Sequence, residues 1–293
     1  MRFCSKLKLR KPDDLTKKQF EEYLRDALYR NYPELEHYQQ IADHINIAYY
    51  SEEPNMRIRF EPKFTWNKKQ NIVRKIGIRA TNAYVSAKKT NDNDEHFMGY
   101  YKDEILRWYG LNLEKDVKSS VPRITRSLNT GKWVNENIDI YEMIYNEYVK
   151  RRGDTGATIH EFSEVRSAIK SLHMRAYFDD TKVLGRNTRN AMARVLDKDE
   201  VDQEMQLLRE AVVAAEGGCL FDSEVFYHES CIYMDVLEEL LENGFIVWQC
   251  YDAWYAAKEG VAQEEFEAYV TRVVAEKANE YIARRNAIHT QAA

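Results

Sequence analysis

Residues 245 to 257 read FIVWQCYDAWYAA. FIVWQC and AWYAA are strand-like by composition, and they flank the pair Tyr251-Asp252, where a tight hairpin can turn. A bare carboxylate is costly to bury. Asp252 therefore belongs at the tip of such a hairpin, at the surface of a rigid sheet. Two meanings stay open at this point, because aspartate is also a good turn residue.

The rest of the chain is organised mainly as helices around short extended segments. Leu15 to Ile47 carries apolar residues at helical spacing and predicts two helices split near Tyr32-Pro33. Met56 to Val85 alternates in RIRFEPKFTW and NIVRKIGIRA, with NKKQ as a turn between them. KKTNDNDE (88 to 95) reads as a loop, Phe97 to Tyr109 as a helix stopped by Gly110, and LNLEKDV (111 to 117) as a strand. SSVPRITRSLNTGKW is an oxygen-rich stretch of no assigned element, followed by a helix from Ile138 to Val149 and the loop RRGDTGA. Thr158 to Phe178 reads as a helix with Thr158 and Glu161 as a capping box. Further helices are expected over Asp199 to Glu216, Ser223 to Leu241 with Asn243-Gly244 at its end, and Gln263 to Arg285.

The net charge of −5 over 293 residues hides an asymmetry. From Asn55 to Lys89 there are ten Lys/Arg against one acid, and from Lys150 to Arg194 ten against five. Asp197 to Glu280 holds twenty-one acids against five bases. Two basic stretches on an acidic chain suit a local track for a polyanion, although solvated faces share the same composition. No stretch approaches the ~20 apolar residues of a membrane span. MRFCSKLKLRKPDD lacks the apolar core of a secretory signal. Cys4, Cys219, Cys231 and Cys250 show no CxxC spacing and read as reduced thiols. The expected location is cytoplasmic, with no membrane partner.

Asp116 sharpens the meaning of Asp252. It too ends an expected strand. Two acids from adjacent strands can share divalent ions, since Mg²⁺ prefers oxygen ligands and needs only one or two carboxylates plus substrate phosphates. The helix VRSAIKSLHMRAYF adds Arg166 and Lys170 four apart, with Met174 and Phe178 continuing the same stripe. Two cations followed by an apolar patch suit a triphosphate and then a base or sugar, though Arg/Lys at this spacing also occurs on ordinary solvated helices.

In this order, the pieces resemble the palm and fingers of the superfamily of family A DNA polymerases and phage-type single-subunit RNA polymerases. DVKSSVPR is similar to motif A, with Asp116 as metal ligand and Arg123 at the position of the DNA polymerases' arginine. RSAIKSLHMRAYF is similar to motif B, with Arg166, Lys170 and Phe178, and Tyr177 beside the aromatic position. IVWQCYDAWYA is similar to motif C, with Asp252 as second ligand. His228 in FYHES and Arg79 in GIRATNAYVS match contacts to primer–template and minor groove. The resemblance covers roughly residues 75 to 258. Tyr251 stands where motif C usually has His, and Val121 where family A DNA polymerases carry a ribose-crowding Glu.

The resemblance implies an α+β right-hand polymerase, with a small antiparallel palm sheet and mainly helical fingers and thumb. The expected segments are 1–95 (N-terminal helices and basic β segment), 96–149 (palm with motif A), 150–196 (fingers) and 197–293 (palm with motif C and a final helix). It implies a nucleotidyltransferase with Asp116 and Asp252 as catalytic metal ligands for two Mg²⁺, with Mn²⁺ able to substitute. Arg166, Lys170, Phe178, Tyr177 and Val121 would handle the nucleotide, and Arg79, Arg123 and His228 the nucleic acid. The basic stretch from Arg57 to Lys89 would track nucleic-acid backbone. Partners are template, primer and nucleoside triphosphates, with room for a protein that supplies processivity; a phage or mobile element would suit so compact an enzyme. The alternatives are a decayed polymerase fold that only binds nucleic acid, in replication or defence, and a metal-dependent nuclease using the same acids.

Overall fold

The computed structural model describes residues 8–53, 56–78, 81–82, 95–153, 161–178, 201–218 and 224–291. It has a mixed α+β architecture that divides into two units, Met1–Val117 with Phe226–Arg285, and Lys118–Val225 with Asn286–Ala293.

The first unit opens with β1 (Leu9–Arg10) and two helices, α1 (Lys17–Asn31) and α2 (Glu34–Ala48). The break falls at the expected Tyr32-Pro33. Thr16 caps α1 through a reciprocal capping box with Gln19. Then come β2 (Ile58–Arg59), β3 (Lys63–Asn67), β4 (Ile72–Gly77), β5 (Thr81–Asn82), α3 (Glu95–Trp108) and β6 (Leu113–Asp116). β1, β4 and β3 form one antiparallel sheet in that order, and β2 pairs with β5. The polar loop expected at 88–95 lies outside the described residues up to position 94.

After the second unit the chain returns through α8 (Val225–Glu242), β7 (Ile246–Cys250), β8 (Ala253–Ala257) and α9 (Gln263–Gln291). β6, β8 and β7 form a second antiparallel sheet, in the order β6-β8-β7. One of its faces carries Leu113, Lys115, Val247, Gln249, Trp254 and Ala256 by register. α8 packs against this sheet, with the rings of Tyr233 and Trp254 edge to face at 4.8 Å. Three elements of this unit are tied by one polar cluster. Tyr38 of α2 donates to Asp235 of α8 at 3.1 Å, and Arg284 of α9 pairs with the same carboxylate oxygen at 2.8 Å. Burial pushes the Asp235 carboxyl up, and the Arg284 guanidinium opposes that rise.

The second unit holds α4 (Ser120–Thr130), α5 (Ile140–Arg152), α6 (Phe162–Phe178) and α7 (Val201–Ala215). Ile140, Ile144, Tyr148, Ile169, Leu172 and Val212 are among the residues of its apolar core. α4 is a helix that the sequence pattern hid. Pro122 falls in its first turn, where a missing N–H breaks no intrahelical bond, and the first such bond shown runs from Arg123 N to Ser119 O at 3.0 Å. The expected capping box of α6 needs correction. The helix begins at Phe162, so Glu161 lies just before it and cannot be its third residue; Thr158 lies outside the described residues.

His173 of α6 is wholly buried and shares a 2.6 Å hydrogen bond with the equally buried Glu216 at the end of α7. Its ring also meets Tyr141 of α5 edge to face. Breaking a buried hydrogen-bonded pair from one side is strongly destabilising. His173→Ala is therefore expected to lower unfolding free energy by roughly 3–5 kcal/mol, measured by urea denaturation; a loss below about 1 kcal/mol, typical of a surface pair, would show that the pair does not bind the helices together.

Candidate active site

The β6–β8–β7 sheet determines where the two acids lie. The register pairs Asp116 with Ala253 and Ala253 with Cys250, forming the last row of the sheet. The ladder continues one step further, since Val117 N donates to Asp252 O at 3.0 Å. Asp116, the last residue of β6, and Asp252, the turn residue that precedes β8, are thus diagonal neighbours in the backbone ladder. Asp116 is exposed and Asp252 half-buried.

The tip is held from several sides. Tyr251 and Asp252 form the two-residue connection of β7 and β8, and Tyr251 takes φ +60°. A bulky residue seldom adopts that conformation, at a cost of about 1–2 kcal/mol. Gln249, wholly buried in β7, donates its Nε2–H to Tyr251 O at 3.0 Å. The outer edge of β6 is closed by Gln263: Glu114 N donates to its Oε1 at 3.0 Å, and its Nε2 donates to Glu114 O at 2.7 Å. That amide fills the place of a missing strand.

Next to Asp116 on the same face stand Glu114 and Tyr255, paired across the ladder. Lys102 lies 4.2 Å from the centre of the Tyr255 ring and 3.4 Å from Glu114 Oε1. Burial, followed by the Glu114 carboxylate and, more weakly, Asp116, pushes the Tyr255 phenol up. The phenol thus stays protonated, a donor beside the acids.

In the second unit Arg166 and Lys170 sit one turn apart on the outer side of α6, while Val165, Ala168, Ile169 and Leu172 face the core. Arg166 Nε donates to Asp139 Oδ2 at 2.8 Å, and the same Asp139 caps α5. Lys170 is exposed. Tyr177 and Phe178 belong to the last turn of α6, and their side chains lie outside the described residues. So does Arg79.

Two of the expected nucleic-acid contacts serve the chain itself. Arg123 is fully buried, and its guanidinium donates to the carbonyls of Lys118, Val134, Asn135 and Ile138. His228 is buried, with Nδ1 2.7 Å from Tyr281 Oη. Val121 is buried in the first turn of α4, where its carbonyl accepts from Thr125 Oγ1 at 3.0 Å. Sequence reading missed the supports. Gln249 had a signal, a lone amide in an apolar strand, whereas Gln263 had none, because its partner is 149 residues away.

Among the described residues no group of three or more His, Cys, Asp or Glu is placed to hold a metal ion. The two aspartates form a pair of oxygen donors, the set that suits Mg²⁺ when substrate oxygens complete its shell. No helix among the described residues is long and apolar enough to cross a membrane. No protein family, curated protein or solved structure matches the chain.

Two substitutions test this placement. Arg123→Ala is expected to cost roughly 3 kcal/mol or more, because it strands buried carbonyls, and thermal unfolding reads this directly; an unchanged melting temperature argues against the buried role. At the tip, Tyr251→Asn and Tyr251→Val remove similar contacts, but only Asn tolerates positive φ. The Val variant is expected to be less stable than the Asn variant by about 1 kcal/mol, and equal stabilities count against strain at Tyr251.

Proposed function

We propose that this chain is a template-directed nucleotidyltransferase built on a right-hand polymerase plan, with the β6–β8–β7 sheet as its palm. The observation that carries the reading is the pairing of β6 with β8, which makes Asp116 and Asp252 diagonal backbone neighbours at one sheet end. The order of the three motifs supports it further. Asp116 and Asp252 would hold Mg²⁺ or Mn²⁺, which would supply charge for activating a 3′-hydroxyl and for neutralising the leaving pyrophosphate.

The chain's own residues have separable tasks. Asp116 presents an exposed carboxylate from a strand locked on both edges, by β8 and by Gln263. Asp252 presents a second from a tip held by Gln249 and by the ladder bond to Val117. Lys102 offsets the charge of Glu114 on the same face, beside the neutral Tyr255 phenol. By resemblance, Arg166 and Lys170 bind triphosphate as fixed charges, Tyr177 or Phe178 stacks near a base, and Val121 replaces the ribose-crowding Glu.

One set of observations favours the second reading, a polymerase fold retained for binding alone. Arg123 and His228 are turned inward, and Arg166 is paired with Asp139. The two readings diverge in one assay, incorporation of labelled dNTPs and rNTPs on primed and unprimed templates. Nucleotidyl transfer predicts Mg²⁺-dependent incorporation that Asp116→Ala and Asp252→Ala each reduce by about 10³-fold or more, a loss on the scale of a removed charge-stabilising group. Variants that extend as well as wild type would eliminate the metal-site assignment, and binding without incorporation would favour the second reading.

A further inference from the structure

The N-terminal sheet has a feature that the linear charge count could not reveal. In β4 the burial pattern breaks alternation: Val73 and Ile76 are both buried, while Arg74 and Lys75 between them are both exposed. The register explains it. Thr65 pairs with Lys75 and Trp66 with Val73, so Arg74 is the extra residue of a bulge. A bulge places two consecutive side chains against one partner residue and re-aims them. Here it turns two adjacent cations to the same face.

The same register identifies that face. Arg10 pairs with Ile72, Lys75 with Thr65, and Gly77 with Lys63, all on the side away from Val73 and Ile76. Arg10, Lys63, Thr65, Arg74 and Lys75 are all exposed. The three strands contain no acid. Lys68 and Lys69 extend the charge into the hairpin turn. The nearest acids in the sequence, Asp13, Asp14 and Glu61, lie off the strands, and Glu61 is 3.9 Å from Arg25. Arg57 drops out of the basic surface, because it bonds the carbonyls of Tyr50 and Ser51.

We propose that this outer face, centred on Arg74 and Lys75, binds the phosphate backbone of nucleic acid. The side-chain types fit that ligand: Arg and Lys supply charge, and Thr65 supplies a hydroxyl of the kind that commonly contacts phosphate oxygens. The face is roughly two strand spacings wide, about 10 Å. Each strand of a duplex carries one phosphate per about 3.4 Å of helix axis, so a face of this width can meet two or three of them. A lipid surface would call for apolar side chains to insert, and the face offers only the half-buried Ile72. The choice of ligand rests on the nucleotidyltransferase reading, while the location of the face rests on the register alone.

The test is fluorescence anisotropy of labelled single-stranded and duplex oligonucleotides, in EDTA, through a salt titration. The double variant Arg74→Glu/Lys75→Glu is expected to bind about tenfold or more weakly, with a salt dependence shallower by about two in log–log slope. Lys68→Glu/Lys69→Glu is a second variant in an exposed turn and should lose affinity in the same sense. Lys18→Glu/Arg30→Glu on α1, the helix packed on the opposite, Trp66-bearing face of this sheet, changes net charge equally and should lose clearly less affinity than either sheet variant. The proposal is overturned if both sheet variants bind like wild type, if the α1 control loses as much, if wild type binds no oligonucleotide, or if polyglutamate competes as well as nucleic acid. Failure of the metal site would show only in incorporation by the Asp116 and Asp252 variants and would leave these binding ratios intact.

Discussion

The ladder between Leu113–Asp116 and Ala253–Ala257 is the constraint on which the rest of the first unit depends. Its two strands lie far apart in the sequence, on either side of Lys118–Val225, and neither is long enough to persist alone. Pairing them satisfies their backbone groups and joins the two sequence segments of the first unit. The flanking edges are covered by side chains. Gln263 bonds both backbone groups of Glu114, and the Tyr50 hydroxyl donates to Val247 O at 2.6 Å. Exposed strand edges invite pairing with other chains, so these two residues protect the sheet as well as stiffen it. The two aspartates inherit that stiffness, since Asp116 ends β6 and Asp252 directly precedes β8.

Much of this was legible before any coordinates. The helix pair 17–48, the basic hairpin, the strand ending in Asp116 and the hairpin 246–257 all follow from periodicity and turn chemistry. α4 was hidden because Ser, Pro and Thr dominate its first half and resemble a loop. Its helical character comes from tertiary burial, with Val121, Ile124 and Leu128 all inside. The start of α6 was misplaced because a capping box is a local pattern, and Thr158–Glu161 matched the pattern without being the cap. The bulge at Arg74 had no signature, because pairing register is a property of two strands together.

The candidate site was legible in its acids and illegible in its cations. Asp116 and Asp252 are legible by position, because a strand end and a hairpin turn are both readable from alternation and composition, and the register then brings them to one sheet end. Arginine and histidine are different. Arg123 and Arg166 look alike in sequence, yet one is sealed inside and bonded to four carbonyls, while the other lies half-exposed against Asp139. A guanidinium with five donors can organise a loop as readily as it can bind a phosphate. His228 has the same ambiguity, resolved by Tyr281, a residue 53 positions away. Charge marks where a polyanion can bind only when register shows which side chains share a face.

Tyr251 links these themes. Its positive φ is strain that glycine would avoid, and such strain persists only where the surroundings over-determine the backbone. They do so here. Val117 fixes the carbonyl of Asp252, Gln249 fixes that of Tyr251, and Ala253 is paired on both sides, with Asp116 and with Cys250. The turn therefore has little freedom to redirect its one carboxylate. A hairpin with glycine at that position would be easier to form and looser at the tip. A strained aromatic on a buried amide gives up folding free energy of about 1–2 kcal/mol, and in return the backbone of Asp252 is held in fixed register with the end of β6.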